Sequence, residues 1–385
     1  MRKEPTKERW PAYDPACPTP LAHTNNRMSY ETKAYATKVA KGPLEPFTVT
    51  RRAVAPDDVK IDIRFAGICH SDIHQARGEW GGEQFPMVPG HEIGGVVVEV
   101  GSSVTKFKVG DHVGVGCMVD SCRECSNCQI GDENYCFTAP VFTYNGKSSY
   151  KHCAEYNEEG GATTYGGYSQ SIVVTERFVA KIPSNLDLAA ATPLLCAGIT
   201  VYSPMKHFGL KAGQKFGVVG LGGLGHMATK FGVAMGAETT VISRGTAKKS
   251  DAIDTLKAHH YIDSTDADQM KGAAFSFDIL ISTISAGFDI NQFVGLLRQN
   301  GTLILVGAPP EALPLATFPM LFGRKRIVGS IIGGMKETEE MLEFCSEHNI
   351  VCQIEKIGAN DINTAYDRVM KSDVKYRFVI DCSTI

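Results

Sequence analysis

Several features are missing from this 385-residue sequence, and each absence argues against a class of protein. No apolar run reaches the roughly eighteen residues of a membrane-spanning helix. The N-terminal residues lack the apolar core of a secretory signal peptide, and their acidic side chains argue against a transit peptide. A net charge of -3 provides no basic excess for nucleic acid or a membrane surface. We therefore expect a cytoplasmic protein with neither of these as a partner.

The twelve cysteines raise the next question, because a chain without a secretory signal is expected to fold in a reducing compartment. In such a compartment, cysteines serve more often as free thiols or metal ligands than as disulfides. The twelve cysteines therefore favour metal sites over disulfides.

The chain has two stretches of different character, and its length suggests two domains. Residues 45–185 contain alternating, glycine-punctuated runs such as VKIDIRFAGI, which predict β-strands. From about residue 186, short Val- and Ile-rich runs alternate with helix-like stretches, which predicts a parallel sheet covered on both faces. After residue 332 we expect one helix and a strand-like end, YRFVIDC. Residues 1–28 are expected to be a disordered arm, and residues 141–168 a long loop.

The run FGVVGLGGLGH meets the GxGxxG spacing through Gly220, Gly222 and Gly225, and it also contains Gly223. A predicted strand precedes it, a predicted helix follows, and a second strand, TTVIS, comes next. In that setting the glycines allow a tight turn, close approach of backbone to a pyrophosphate, and close packing of helix on strand. The N–H groups at the helix start attract phosphate. We expect these four glycines to bind a dinucleotide; an ordinary glycine-rich turn is the alternative.

The residues after TTVIS indicate which dinucleotide is bound. An Asp or Glu there would bind the ribose diol of NAD. This chain instead has Ser243, Arg244, Lys248 and Lys249, and no acidic residue before Asp251. Hydroxyls and cations would bind a 2′-phosphate, which a carboxylate would repel. We therefore expect NADP(H), and the alternative is a solvated basic turn that happens to follow the strand.

The stretch SCRECSNCQIGDENYC holds Cys122, Cys125, Cys128 and Cys136 in one local loop. Four thiolates complete the tetrahedral shell of zinc and leave no position for a substrate. We therefore predict a structural zinc site, with free thiols or two disulfides as the alternative. Cys117 lies outside this spacing and is expected to point elsewhere.

A second set of metal-binding and polar residues is dispersed along the chain. A lone cysteine in an apolar run is usually part of a core, but two cysteines and one histidine together suit an open catalytic zinc site. Spacing alone does not decide whether the segments meet in space. The set comprises Cys69, His70, Ser71, Asp72 and His74 in GICHSDIH, His91 and Glu92 in PGHEIGG, and Cys196 in LLCAGIT.

At these residues the sequence resembles the zinc-dependent medium-chain alcohol dehydrogenases, over about residues 30 to 385. GHEIGGVVVEVGSSV matches the zinc signature of that superfamily. Further stretches are similar to its cinnamyl alcohol dehydrogenase branch, namely CHSDIHQ, PMVPGHE, VTKFKVGD, PLLCAGITVYSPMKHFGL and GLGGLGHMATKF. These are long and specific matches.

The resemblance implies a role for each dispersed residue. Cys69, His91 and Cys196 would hold a catalytic zinc, with Glu92 as an alternate ligand, while Asp72 would accept a hydrogen bond from His91. Ser71 and His74 would carry the proton, and His70 would lie near the pyrophosphate. The four clustered cysteines would form the structural zinc lobe.

The implied fold is α/β, with a GroES-like β-rich catalytic domain and a Rossmann domain built on a doubly wound parallel sheet. After the arm at 1–28, we expect the catalytic domain at 29–189, the Rossmann domain at 190–332, and a return to the catalytic domain at 333–385. The implied protein is a homodimer with two zinc ions per chain and NADP(H). It would interconvert primary alcohols and aldehydes.

Two residues depart from the plant lignin enzymes of this branch, which have a Trp near Phe142 and a Phe in place of Ile331. The resemblance therefore implies the reaction more firmly than the substrate. A zinc-free quinone or enone reductase on the same fold is one alternative, but it would lack the Cys69, His91 and Cys196 set. A non-enzymatic protein on this scaffold is another, and it would be expected to have a damaged zinc or glycine motif.

Overall fold

The computed structural model describes residues 29–147, 163–309 and 311–385. The predicted arm at 1–28 and the middle of the predicted loop at 141–168 lie outside the described residues. The strands are β1 (Tyr30–Thr37), β2 (Leu44–Arg51), β3 (Asp58–Gly67), β4 (Ile93–Val100), β5 (His112–Val115), β6 (Met118–Asp120), β7 (Val141–Phe142), β8 (Ser171–Thr175), β9 (Ala180–Lys181), β10 (Lys215–Val219), β11 (Glu238–Ser243), β12 (His260–Asp263), β13 (Phe277–Ser282), β14 (Leu297–Leu305), β15 (Arg326–Gly329), β16 (Ile354–Ile357) and β17 (Arg377–Asp381). The helices are α1 (His70–Ala76), α2 (Ser126–Ile130), α3 (Leu188–Ala191), α4 (Ala197–His207), α5 (Gly223–Ala234), α6 (Ala267–Gly272), α7 (Ile290–Leu296), α8 (Phe318–Gly323), α9 (Met335–His348) and α10 (Ile362–Met370).

The larger sheet has the order β16-β17-β3-β4-β5-β9, with β8 also pairing β3. β3 lies at its centre, because β4 pairs one edge while β8 and β17 share the other. Val59, Ile61 and Ile63 of β3 are buried, as the alternation in this run predicted. The sheet therefore fixes the position of the chain just beyond β3, where the first candidate site residues begin.

The second sheet has six strands in the order β12-β11-β10-β13-β14-β15, and all neighbouring pairs are parallel. Counted from β10, this is the 3-2-1-4-5-6 order of a doubly wound dinucleotide-binding sheet. β13 is buried along its whole length, because α4, α5 and α9 pack on one face and α7 and α8 on the other. The predicted Rossmann sheet is confirmed.

Beyond β15 the chain passes through α9 and returns to the larger sheet. There β17 pairs antiparallel with β3. One helix and a strand were predicted for this stretch, and the structure adds β16 and α10. The short, largely polar helix α10 buries only Ile362, Ala365 and Tyr366. Three buried positions are too few to give a recognisable helical period in the sequence.

Among the described helices, no single one is long and apolar enough to cross a membrane. One bent pair, Leu188–Leu195 followed by Ala197–His207 at 55°, passes on length and composition alone. This pair lies in the apolar core, where Leu194, Ile199 and Met205 are buried.

His226 on α5 gives the fold a testable response to acid. Its ring is fully buried and stacks on Tyr376 with centroids 4.8 Å apart. Neither ring nitrogen has a hydrogen-bond partner within the described residues. Burial, followed by Lys230 and Arg377, lowers the pKa of His226 to about 3. Below its ordinary pKa the unfolded chain takes up a proton that the folded chain rejects, so stability falls as the pH falls.

We expect His226→Phe to remove this acid sensitivity, because phenylalanine fills the same space and binds no proton. The loss of unfolding free energy between pH 7.5 and pH 5 should shrink by about 2 kcal/mol relative to the unsubstituted protein. For a domain the size of the Rossmann domain, 2 kcal/mol corresponds to a difference of about 4–8 °C in melting temperature. Melting curves at both pH values measure it, with the exposed His260→Gln as control. Parallel pH dependences in all three proteins would contradict the expectation.

Candidate active site

The first site residues lie where β3 ends and α1 begins. Cys69 is the residue that precedes the helix, and Asp72 in the first turn accepts a hydrogen bond from the Cys69 N–H at 2.8 Å. This bond stabilises the start of the helix. It leaves the Ser71 hydroxyl 3.7 Å from the Cys69 sulfur.

Two further segments bring side chains to Cys69. One ligand atom from each of Cys69, His91, Glu92 and Cys196 lies within 4.8 Å of the others. The two sulfurs are 3.9 Å apart, and Nε2 of His91 is 3.3 Å from the Cys196 sulfur. Zn–S bonds of about 2.3 Å in a tetrahedron place two sulfurs about 3.8 Å apart, whereas a disulfide needs about 2 Å. This donor set therefore fits zinc.

Asp72 orients the histidine of this set. Its Oδ1 accepts hydrogen bonds from Nδ1 of His91 at 3.0 Å and from the Gly90 N–H at 3.1 Å. The Tyr168 hydroxyl donates to Oδ2 at 3.3 Å. Burial lowers the pKa of His91, but Asp72, Cys117 and Cys69 together outweigh burial, so the pKa is raised. With its proton held on Nδ1, the ring directs Nε2 toward the sulfurs.

Glu92 faces a cation that sequence reasoning missed. Arg377 of β17 forms a fully buried ion pair with Oε1 of Glu92. Burial lowers the pKa of Arg377, but Glu92 and the thiols of Cys69, Cys196 and Cys352 together outweigh burial. The pKa is therefore raised, and the guanidinium stays charged. The other carboxylate oxygen, Oε2, is buried without a hydrogen-bond partner among the described residues. That unpaired oxygen is consistent with an additional metal ligand. The only sequence signal was an arginine inside an apolar strand.

The remaining polar residues follow α1. The rings of His70 and His74 lie one turn apart, with centroids separated by 5.3 Å. Burial lowers the pKa of His70, which favours the neutral imidazole. Nδ1 of His74 is 2.5 Å from Oε2 of Glu79, a side chain at the surface, and the Trp80 ring stacks on His74. Glu79 was also missed, because it lies in a polar turn that matches no motif.

The glycine loop joins β10 to α5. Gly220 has a φ of 91°, and a Cβ on Gly225 would lie 2.0 Å from the Gly220 oxygen. A Cβ on Gly222 would meet nothing within 4 Å, so the space over the helix start is open. A Cβ on Gly223 would lie 2.8 Å from Nη1 of Arg377. Open N–H groups with a guanidinium beside them fit a pyrophosphate.

The basic turn follows β11 at the same edge of the sheet. Arg244 is exposed and forms no ion pair within the described part of the chain. Nζ of Lys248 donates to the Leu221 carbonyl at 2.7 Å, so that ammonium is tied to the glycine loop. Asp263, at the end of β12, accepts a hydrogen bond from the Gly245 N–H at 2.8 Å. Ser243 and Lys249 border the turn on either side.

The four clustered cysteines form a second donor set around α2. The sulfur of Cys128 is 3.8 Å from that of Cys122 and 3.5 Å from that of Cys125, and Cys136 completes a group within 4.8 Å. All four are free thiols. Their separations match the tetrahedral spacing of about 3.8 Å, so this set also fits zinc.

Three further positions lie outside the glycine loop, the basic turn and the four-cysteine lobe. The Cys117 thiol influences the pKa of Cys196 and of His91, so it lies near the first donor set. Phe142 and Ile331, the two departures from the lignin enzymes, are 44% and 54% exposed. Both side chains are therefore available to contact a ligand or a neighbouring segment.

Two family models match the chain in succession. One is described as an alcohol dehydrogenase GroES-like domain and covers residues 55–184. The other is described as a zinc-binding dehydrogenase and covers residues 223–347. The first matches within the β-rich part and the second within the stretch that holds the parallel sheet.

Individual proteins match over nearly the whole chain. The NADP-dependent alcohol dehydrogenase C 1 of Mycolicibacterium smegmatis is 51% identical over 353 residues, which are 91% of this chain and 98% of the relative. A cinnamyl alcohol dehydrogenase from Sorghum bicolor has a TM-score of 0.87 and 45% identity, covering 92% of this chain and 98% of that one. The CAD of Helicobacter pylori, solved in complex with NADP(H), has a TM-score of 0.85 and 44% identity, covering 92% and 99%.

Proposed function

This chain belongs to the zinc-dependent medium-chain alcohol dehydrogenases, as its sequence predicted, and on that premise we propose its reaction. It is an NADP(H)-dependent oxidoreductase that interconverts primary alcohols, aromatic or aliphatic, and aldehydes. The observation that carries the proposal is the convergence of Cys69, His91 and Cys196, with Glu92 in reach of them. A zinc-free quinone or enone reductase would have no use for that set.

Cys69, His91 and Cys196 would hold the catalytic zinc, with Glu92 as the alternate ligand. Zinc in such a site supplies a Lewis acid that polarises an aldehyde carbonyl and acidifies an alcohol. Asp72 keeps the proton on Nδ1 of His91 and so leaves Nε2 as the donor atom.

The glycine loop and the first turn of α5 would bind the pyrophosphate of NADP(H), with Arg377 beside Gly223. Arg244, Ser243 and Lys249 would bind the 2′-phosphate, while Lys248 supports the loop through Leu221. NADP(H) supplies the hydride chemistry when bound. Both the Mycolicibacterium relative and the Helicobacter structure are described with this cofactor.

Proton transfer would run along α1. Ser71 lies beside the Cys69 sulfur and would exchange a proton with the substrate oxygen. His74 would pass that proton on, because Glu79 engages its Nδ1 and leaves Nε2 free to exchange. His70, neutral through burial, would contact the cofactor without adding charge.

A single substitution tests the four-cysteine lobe. We expect Cys125→Ser to lose one of the two zinc ions per chain and to weaken folding, because an incomplete thiolate shell binds zinc poorly. The catalytic zinc should stay until the fold itself fails. Metal analysis and a melting curve on the same sample measure both effects. Protein expressed with ample zinc that contains none would contradict both zinc assignments.

The proposed organisation keeps the catalytic domain at 29–189, the Rossmann domain at 190–332 and the return at 333–385. A homodimer is supported by β15, the last strand of its sheet in the described chain, and by α8 beside it. Phe318, Leu321 and Phe322 on that helix are 68%, 73% and 82% exposed. A free strand edge next to exposed apolar side chains favours pairing with a second copy.

Cytoplasm is the proposed location. The two donor sets need six cysteines in their reduced form, and a reducing compartment keeps them so.

A panel of aldehydes tests the proposed function. Purified protein with zinc content measured should oxidise NADPH when given benzaldehyde, cinnamaldehyde and straight-chain aldehydes in turn, and it should do so faster than with NADH. Turnover of quinones or enones in zinc-free protein would favour the reductase alternative. No turnover of any substrate by fully zinc-loaded protein would favour a non-enzymatic role.

A further inference from the structure

The four-cysteine lobe rests on the segment that carries the chain from β15 to α9, residues 330–334, here called the return segment. A Cβ on Gly334 would lie 1.7 Å from the carbonyl oxygen of Gly131 in the lobe, so the two backbones are in direct contact. A single helical turn, Glu133–Tyr135, lies between the third and fourth cysteines and faces the same segment. We call this turn the clamp.

Each residue of the clamp forms a hydrogen bond with the backbone of the return segment or of the residue that follows it. An Oε of Glu133 accepts a hydrogen bond from the Met335 N–H at 2.9 Å, which caps the start of α9. The Asn134 amide donates to the Ile331 carbonyl at 2.8 Å, and the Tyr135 hydroxyl accepts from the Ile331 N–H at 3.3 Å. Both backbone groups of Ile331 are therefore bonded to side chains of the clamp.

Ile332, the next residue, has a backbone conformation that the clamp helps to maintain. Ile332 has a φ of 42°, a left-handed conformation that β-branched residues rarely adopt and that surrounding structure must maintain. On its other side, Gly333 packs so closely on α4 that a Cβ would lie 2.6 Å from Cγ1 of Ile199. The return segment is therefore held between the lobe and the helix that starts after Cys196.

The return segment also lies at the edge of the sheet where ligands bind. β15 ends at Gly329, so Ser330 and Ile331 follow the carboxyl end of a parallel strand. Dinucleotides bind outside the carboxyl ends of these strands, with one half of the sheet serving each nucleotide. The glycine loop occupies the first half, and the return segment borders the second, which belongs to the β13-β14-β15 side.

We propose that Asn134 and Tyr135 are positioning residues for cofactor binding. They hold Ile331 and the strained Ile332 in the shape that receives the nicotinamide half of the dinucleotide, and the four-cysteine lobe thereby contributes to binding as well as to stability. The proposal rests on the proposed function for the identity of the cofactor. The clamp itself is a property of the protein without ligand.

Tyr135→Phe and Asn134→Ala test the clamp, with Gln129→Ala, an exposed residue on the same lobe, as the matched control. Hydrogen exchange at the amides of residues 331–335 in protein without cofactor should accelerate in the two clamp variants and stay unchanged in the control. The dissociation constant for NADPH, measured by fluorescence, should rise about three- to tenfold, as expected for the loss of one hydrogen bond. Zinc content should remain two per chain.

Two outcomes would overturn the proposal. The first is exchange and NADPH affinity in Tyr135→Phe equal to those of Gln129→Ala. The second is faster exchange with unchanged NADPH affinity, which would make the clamp purely structural. If Asn134→Ala loses zinc, Tyr135→Phe alone decides, because it removes one hydroxyl and keeps the ring. Absence of aldehyde turnover in the unsubstituted enzyme would count against the proposed function and leave the exchange result standing.

Discussion

Replacing Cys69 with alanine is expected to abolish activity and to lower the zinc content from two ions per chain to one. Two donors, His91 and Cys196, then remain beside Glu92, whose carboxylate is already paired with Arg377. Such an incomplete set binds zinc poorly. Lewis-acid stabilisation is worth several kcal/mol, so the rate should fall at least about a thousandfold. Metal analysis and the rate of NADPH oxidation on one sample measure the two losses together.

The matched control is Cys345→Ala, which removes a buried thiol that belongs to neither donor set. It should keep both zinc ions and most of the activity. If Cys69→Ala loses one zinc ion and keeps full activity, that zinc takes no part in the reaction and the catalytic zinc assignment is wrong.

His74→Ala complements this variant, because the histidine lies outside the donor set. Zinc should stay at two ions per chain while the rate falls about a hundred- to ten-thousandfold, the usual worth of a positioned acid–base group. The fall should be smaller if water reaches the same position. Rate against pH at saturating NADP⁺ measures it, and an unchanged maximal rate and profile would remove His74 from the proton path.

Arg244→Asp is expected to reverse or narrow the preference for NADPH over NADH. It removes a charge-assisted contact to the 2′-phosphate and places a carboxylate where NAD-binding proteins have one. The cost should be on the order of 2–4 kcal/mol, or roughly thirty- to a thousandfold in affinity. Fluorescence titration with each cofactor measures the two dissociation constants directly.

Lys211→Asp makes the same change in charge before β10, at the amino edge of the sheet, and serves as the control. Its effect on NADPH should be small and should vanish with added salt, because exposed charges are screened beyond about 10 Å. Equal use of NADH and NADPH by the unsubstituted enzyme would contradict the assignment.

Local patterns were enough to predict most of the fold. Strand periods and glycine spacing indicated the parallel sheet, because each buried strand of such a sheet is apolar on both faces. The order of the six strands was not predicted, because it depends on which strands pair through the fold. β16 and α10 were missed, since a four-residue strand and a short polar helix leave little periodicity to read.

The site was predictable where its residues sit in motifs and unpredictable where they meet through the fold. Cys122 to Cys136 form one loop, so their spacing nearly dictates their geometry. Arg377 lies 285 residues from Glu92, and no local pattern connects the two. Glu79 was missed for a related reason, because an acid in a polar turn is usually solvated and only the ring of His74 makes it informative.

The pairing of β17 with β3 has a consequence for synthesis on the ribosome. β8 protects only the first half of β3, so the half that leads to Cys69 remains an open sheet edge until β17 has been translated. The Ile68 N–H, next to that cysteine, likewise waits for the Phe378 carbonyl, which accepts it at 2.9 Å. We therefore expect the strand edge beside Cys69 to stay unpaired while the whole parallel sheet is translated, and an unpaired edge favours association with other chains.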